Sequence, residues 1–180
     1  SGTDTLTDLG NGGADVLVVT SGTVNATVTT AWTATATSSN SGTANLSTAG
    51  LAVNLALVTG GTSGFTVTNT GGATTLTGSA KDDTIAGGTG NDTITGGSGT
   101  DSLSGGAGND TFVYAALTDL LSGGTVLDSV VGGADTDTIR IDQATAYTMG
   151  GGESFDRISA VEVLAQGVAN TGAISMTLAA

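Results

Sequence analysis

From Val58 to Ile139 a large apolar residue returns at every ninth position: Val58, Val67, Leu76, Ile85, Ile94, Leu103, Phe112, Leu121, Val130 and Ile139. A period of nine is neither 3.6 nor 2, which excludes one continuous helix or one long strand. Several of these sit between polar residues, as in Thr93-Ile94-Thr95 and Ser102-Leu103-Ser104, the pattern of a short strand whose middle side chain faces inward. Residues 78–113 divide into GSAKDDTIA, GGTGNDTIT, GGSGTDSLS and GGAGNDTFV. The last three carry Gly at positions one, two and four, Asp at six and an apolar residue at eight; the first is degenerate but keeps Asp83 and Ile85 in phase. Glycine reaches positive φ cheaply and Asp tolerates turn geometry. Each block therefore predicts one turn and one strand, and two blocks predict one coil of a flattened parallel β-helix.

Such coiling stacks residues eighteen apart, Asp83 over Asp101 on one edge and Asp92 over Asp110 on the other. Adjacent strands lie about 4.8 Å apart, and two bare carboxylates at that spacing repel by roughly 3 kcal/mol at an effective dielectric of 20. A cation between them reverses the sign. Carboxylates and turn carbonyls form an all-oxygen cage, which suits calcium better than magnesium and suits zinc poorly.

These blocks resemble the RTX (repeats-in-toxin) family and its nonapeptide GGxGxDxUx, which residues 87–113 match three times in succession. The resemblance implies an all-β, right-handed parallel β-roll (a β-solenoid), unfolded without calcium and folded when several Ca2+ ions are bound. It also implies export from bacteria through a type I secretion channel, with folding outside. Carried onto this chain, it gives ions held by Asp83 with Asp101 and by Asp92 with Asp110. The main-chain carbonyls would come from Gly87, Gly88, Thr89 and Gly90, from Gly96, Gly97, Ser98 and Gly99, and from Gly105, Gly106, Ala107 and Gly108.

Outside the clear repeats, residues 1–18 read as the end of a preceding degenerate repeat, with Asp4 and Asp15 eleven apart and out of phase. Residues 19–77 are low in charge and rich in Thr, Val and Ala. Their short alternating stretches, separated by glycine turns, predict metal-free solenoid coils or a small sandwich. Asn45 and Asn54, like Leu46 and Leu55, are nine apart and suggest the same coil length; Trp32 is read as a core plug or end cap. The Asp phase continues through Asp119, Asp128 and Asp137. Two paths fit residues 114–142: an unbroken roll with one distorted coil, or a departure after Phe112-Val113-Tyr114 as a short helix and loop, followed by a return. The second is favoured, because Tyr114–Ser122 lacks the turn glycines. Asp128, Asp135 and Asp137 are secondary calcium candidates. Residues 143–180 are expected to cap the roll or begin another domain, and Glu162 is read as a carboxylate outside the repeat.

Composition narrows the functional classes. Among 180 residues there are 31 Gly, no Pro, Cys or His, three basic and sixteen acidic residues, for a formal net charge of −13. Nothing here neutralises phosphates, so no nucleic acid is expected as a partner, and no membrane insertion, since no apolar run approaches the roughly 20 residues of a span. Without His or Cys the usual general base and thiol nucleophile are missing. The carboxylate pairs Asp82/Asp83 and Glu153/Asp156 have few aromatic residues to accompany them as a sugar platform. A non-catalytic structural module is expected, secreted or at the bacterial cell surface, of surface-layer (S-layer) or adhesin type, with calcium as partner and self-association or neighbouring domains as further partners. The alternative is the secretion-and-folding appendage of an exported hydrolase or toxin; a more remote one is an ice-binding array of Thr hydroxyls.

Overall fold

Thr, Val and Ile favour a pleated, half-buried surface, and alternation along short segments buries every second side chain. The computed structural model describes residues 3–10, 15–122, 125–143, 147–149, 154–167 and 174–176. It is a parallel β-solenoid. The first sheet stacks Thr3–Leu9, Thr23–Val28, Thr43–Thr48, Phe65–Asn69, Thr84–Thr89, Ser102–Ala107, Ser129–Ala134 and Ile158–Ser159 in that order. The second stacks Trp32–Thr33, Val53–Asn54, Thr75–Thr77, Thr93–Thr95, Thr111–Tyr114, Thr138–Ile141 and Val163–Gln166. Between them runs one narrow core, to which Leu46, Leu55, Val67, Leu76, Ile85, Ile94, Leu103, Phe112, Val130 and Ile139 contribute.

Coil length changes along the stack. Thr23 pairs with Thr43 and Ala44 with Phe65, so the early coils take twenty or twenty-one residues. The extra residues build a third side, the sheet Val18–Val19, Ser39–Asn40 and Gly60–Gly61. The nine-residue hint from Asn45 and Asn54 is therefore corrected. Asn45 stacks on Asn25, its Nδ2 donating to Asn25 Oδ1 at 2.8 Å, whereas Asn54 lies in the second sheet. Trp32 is a buried core residue whose Nε1 donates to the Asp15 carbonyl at 3.3 Å. The two-sided coil of eighteen residues begins with Thr66 opposite Thr84 and repeats with Thr84 opposite Ser102.

After Thr111–Tyr114 the chain leaves the stack. It forms the short helix Leu117–Leu120 and an antiparallel hairpin of Leu121–Ser122 with Thr125–Val126. It then returns to both sheets, with Ser129 opposite Ser102 and Thr138 opposite Thr111, twenty-seven residues on. The insertion thus has the length of one nonapeptide, which is why the Asp phase survives it. Asp119 keeps the phase only numerically. It is exposed, and its Oδ2 accepts the Ala116 N–H at 2.9 Å beside the helix. Residues 154–167 do more than cover the last layer: Ile158 pairs with Val130 and Val163 with Thr138, adding a strand to each sheet.

Candidate metal centre

Each glycine turn brings main-chain oxygens of one coil close to the next. Gly106 has φ +115°, and a Cβ there would run into the Gly88 carbonyl oxygen of the preceding coil. The first glycine of a block plays a different part. Gly105 lies outside the left-handed region, yet a Cβ on it would strike Asp110 Oδ2 and come within 2.5 Å of the Gly132 carbonyl oxygen. A Cβ on Gly87 would meet Asp92 Oδ2 and the Gly105 carbonyl, both at 2.6 Å. These glycines keep open a space bounded by a carboxylate oxygen and a carbonyl of the following coil.

The position-six carboxylates form two files, one along each edge. In the first, the N–H groups of Phe65, Asp83 and Asp101 donate to Oδ1 of Asp83 (2.5 Å), Asp101 (2.8 Å) and Asp128 (2.8 Å). In the second, the N–H groups of Thr74, Asp92 and Asp110 donate to Oδ1 of Asp92, Asp110 and Asp137, each at 2.8 Å. All six aspartates are at most 2% exposed. The second file extends by one member that the nine-residue phase does not reach: Asp137 N–H donates to Glu162 Oε2 at 2.8 Å. Reading Glu162 as outside the repeat is corrected accordingly. Its signal was the spacing in Glu162-Val163-Leu164, acid then apolar two residues on, as in Asp137-Thr138-Ile139.

The second carboxylate oxygens divide sharply. Oδ2 of Asp92, Asp101, Asp110 and Asp137 is buried with no hydrogen-bond partner. Asp83 Oδ2 accepts from Ser79 N–H at 2.5 Å and Ser79 Oγ at 2.9 Å. Asp128 Oδ2 accepts from the Tyr114 hydroxyl at 2.9 Å. Asp135 stands outside both files. It is exposed at the fourth position of its turn, where it adopts φ +79° in place of the template's glycine, and its Oδ2 accepts Gly108 N–H at 3.2 Å. Of the candidate carbonyls, that of Gly87 already accepts Asn69 Nδ2 at 2.6 Å. Thr89, Ser98 and Ala107 occupy the exposed third position of their turns.

Burial without a partner raises carboxylate pKa values. Asp101 is pushed up to about 7, first by burial and then by the charges of Asp128, Asp83 and Asp82. Asp92 is pushed up to about 6 by burial and by Asp110. Asp83, Asp110 and Asp128 also move upward, with burial the leading cause. A raised carboxylate pKa means that the metal-free fold prefers the protonated form. That contribution is fully present below the unfolded value near 4 and is lost as pH rises through about 6 to 7. In chelator the roll is therefore expected to keep more residual β structure at pH 5 than at pH 8. Calcium titrations at the same two pH values should show weaker binding at pH 5, because proton and ion compete for one oxygen. A metal-free roll more stable at pH 8 would contradict this account.

The donor set fits a hard cation. The bare oxygens are carboxylate, their neighbours across the gap are carbonyl, and neither nitrogen nor sulfur ligands line the space. Among the described residues no three acidic side chains converge on one point, so main-chain carbonyls would have to complete the coordination of any ion held there. Fold and site together define a β-solenoid whose glycine turns bring bare carboxylate oxygens and main-chain carbonyls of neighbouring coils to the same gaps. The family model described as the RTX calcium-binding nonapeptide repeat (4 copies) matches residues 69–103 and 77–112. This segment carries RTX calcium-binding repeats, which support a calcium-binding structural module. No curated protein and no solved structure matches the chain.

Proposed function

We propose that the chain serves as a calcium-set rigid segment of a bacterial protein that is exported and works at or beyond the cell surface. The observation that carries this is the pair of carboxylate files, with four buried oxygens lacking any partner. Asp92, Asp101, Asp110 and Asp137 would hold the ions, together with carbonyls of the glycine turns. Bound calcium supplies the positive charge that lets neighbouring carboxylates share one edge. The chain's own residues fix the spacing through the Oδ1 ladder, hold the gap open with the first glycines, and exclude water by burial. A structural surface-layer or adhesin role is favoured over an appendage of a hydrolase by the stack that precedes the roll. From Val16 to Ala80 the sequence has no charged residue, and the same first sheet runs through that stretch and the roll without a break.

Calcium is expected to produce a cooperative gain in β signal in circular dichroism, with a midpoint of about 10⁻⁴ to 10⁻³ M, typical of extracellular modules. Magnesium at equal concentration should do little, since it demands near-ideal octahedral geometry and dehydrates reluctantly. Equal responses to both ions would defeat the coordination argument. Light scattering in the same titration tests the surface-layer role, which predicts calcium-dependent assembly beyond the monomer.

A further inference from the structure

The two files are built alike along Oδ1 and differ along Oδ2, and the difference follows local departures from the repeat. In the degenerate first block, Ser79 stands at position two, where Gly88, Gly97, Gly106 and Gly133 take positive φ. Ser79 is not among the positive-φ residues. Its N–H and hydroxyl both reach Asp83 Oδ2. Tyr114 follows Phe112 by two residues, as Gly96 follows Ile94. Since Ile94 pairs with Phe112, Tyr114 falls at the place in its coil that a first glycine holds in the coil before. Where a glycine would leave space, a buried hydroxyl donates to Asp128 Oδ2.

We infer that Ser79 and Tyr114 stand in for calcium, each giving a neutral hydrogen bond to a carboxylate oxygen that elsewhere in the roll is left for an ion. Asp83 and Asp128 then belong to the ladder without being calcium-demanding, and the file they bound is closed at both ends. The demand for metal falls on Asp92, Asp101, Asp110 and Asp137. This rests on the calcium-binding reading above and assigns the ions among its carboxylates.

The test compares Asp128→Asn with Asp110→Asn in the full chain, counting bound calcium by metal analysis and by isothermal titration. Each amide can keep the Oδ1 contact of the ladder, and in Asp128→Asn its nitrogen can donate to the Tyr114 oxygen. Asp128→Asn is expected to keep the parent's ion count, with affinity within about twofold of it. Asp110→Asn is expected to lose at least one ion. Tyr114→Phe keeps the ring and removes the donor. It should lower the melting temperature in saturating calcium, and much less so when residue 128 is Asn, a coupling that a double-mutant cycle isolates. Loss of an ion in Asp128→Asn alongside Asp110→Asn, or an uncoupled cycle, overturns the inference while leaving calcium binding intact. A parent that binds no calcium, or an Asp110→Asn chain with a full complement, overturns the calcium reading and this inference together.

Discussion

Chelation is expected to melt residues 87–141 while residues 15–69 stay folded, giving a chain that loses part of its β signal and no more. The reason lies in what each coil buries. Residues 44–64 bury Ala44, Leu46, Val53, Leu55 and Val58, whereas residues 84–101 bury Ile85 and Ile94 together with the carboxylates Asp92 and Asp101. A fully buried large aliphatic side chain contributes about 1.5–3 kcal/mol. One unpartnered buried polar group costs about 1–3 kcal/mol, and more when it is charged. In the roll the two effects are of similar size and opposite sign; in the early coils the cost is absent. There the corners are satisfied by neutral amides instead. Asn69 Oδ1 accepts N–H groups from Gly50 and Gly71, at 2.7 and 2.9 Å, and its Nδ2 donates to Gly72 and Gly87. Hydrogen exchange read by mass spectrometry, with and without EDTA, resolves the two regions. Uniform loss of protection over both, or retention over both, would refute this division. The resemblance alone implied a chain wholly unfolded without calcium; the burial pattern confines that expectation to the roll.

The second large effect concerns the space beside the first glycine. Gly105→Ala should abolish calcium-dependent folding of the roll about as completely as Asp110→Ala does. Asp110→Ala removes both the bare oxygen and the acceptor of the Asp92 N–H. Gly105→Ala leaves every carboxylate in place and strains no backbone dihedral, but its methyl would occupy the gap between Asp110 Oδ2 and the Gly132 carbonyl. Overpacking of that kind costs about 1–3 kcal/mol in a well-packed site, to which the lost ion is added. An apparent calcium affinity at least tenfold weaker is expected for both, or about 1.4 kcal/mol per tenfold. Asp119→Ala is the fitting control: it removes the same charge from an exposed position, where the carboxylate accepts the Ala116 N–H. If all three variants respond alike, net charge governs the response and position does not. If Gly105→Ala binds calcium like the parent, the space beside Gly105 is not where the ion goes.

Much of the site could be read from spacing alone. Asp83, Asp92, Asp101 and Asp110 fall at one phase of a perfect repeat, and a coil of two blocks can place them only at its edges. Asp128 and Asp137 were reached by counting on, and that count succeeded because the excursion lengthens its coil by nine residues, from eighteen to twenty-seven. The same count put Asp119 in phase, although a helix turn takes it out of the stack. Glu162 lay beyond reach because the intervening coil spans twenty-five residues between Thr138 and Val163, a spacing with no relation to nine.

By itself the sequence determined the repeating turn and strand, the inward apolar residue of each, and the acidic phase. All of these follow from local conformational preference and from a period that the chain carries in its own numbering. Tertiary structure decided the third side of the early coils, the return of the chain at Asp128, and above all which carboxylate oxygens are left bare. Those depend on what stands one coil away in space, a hydroxyl at Tyr114 or an open gap at Gly105. Neighbours across coils are set by loop lengths and side-chain packing that no local pattern records.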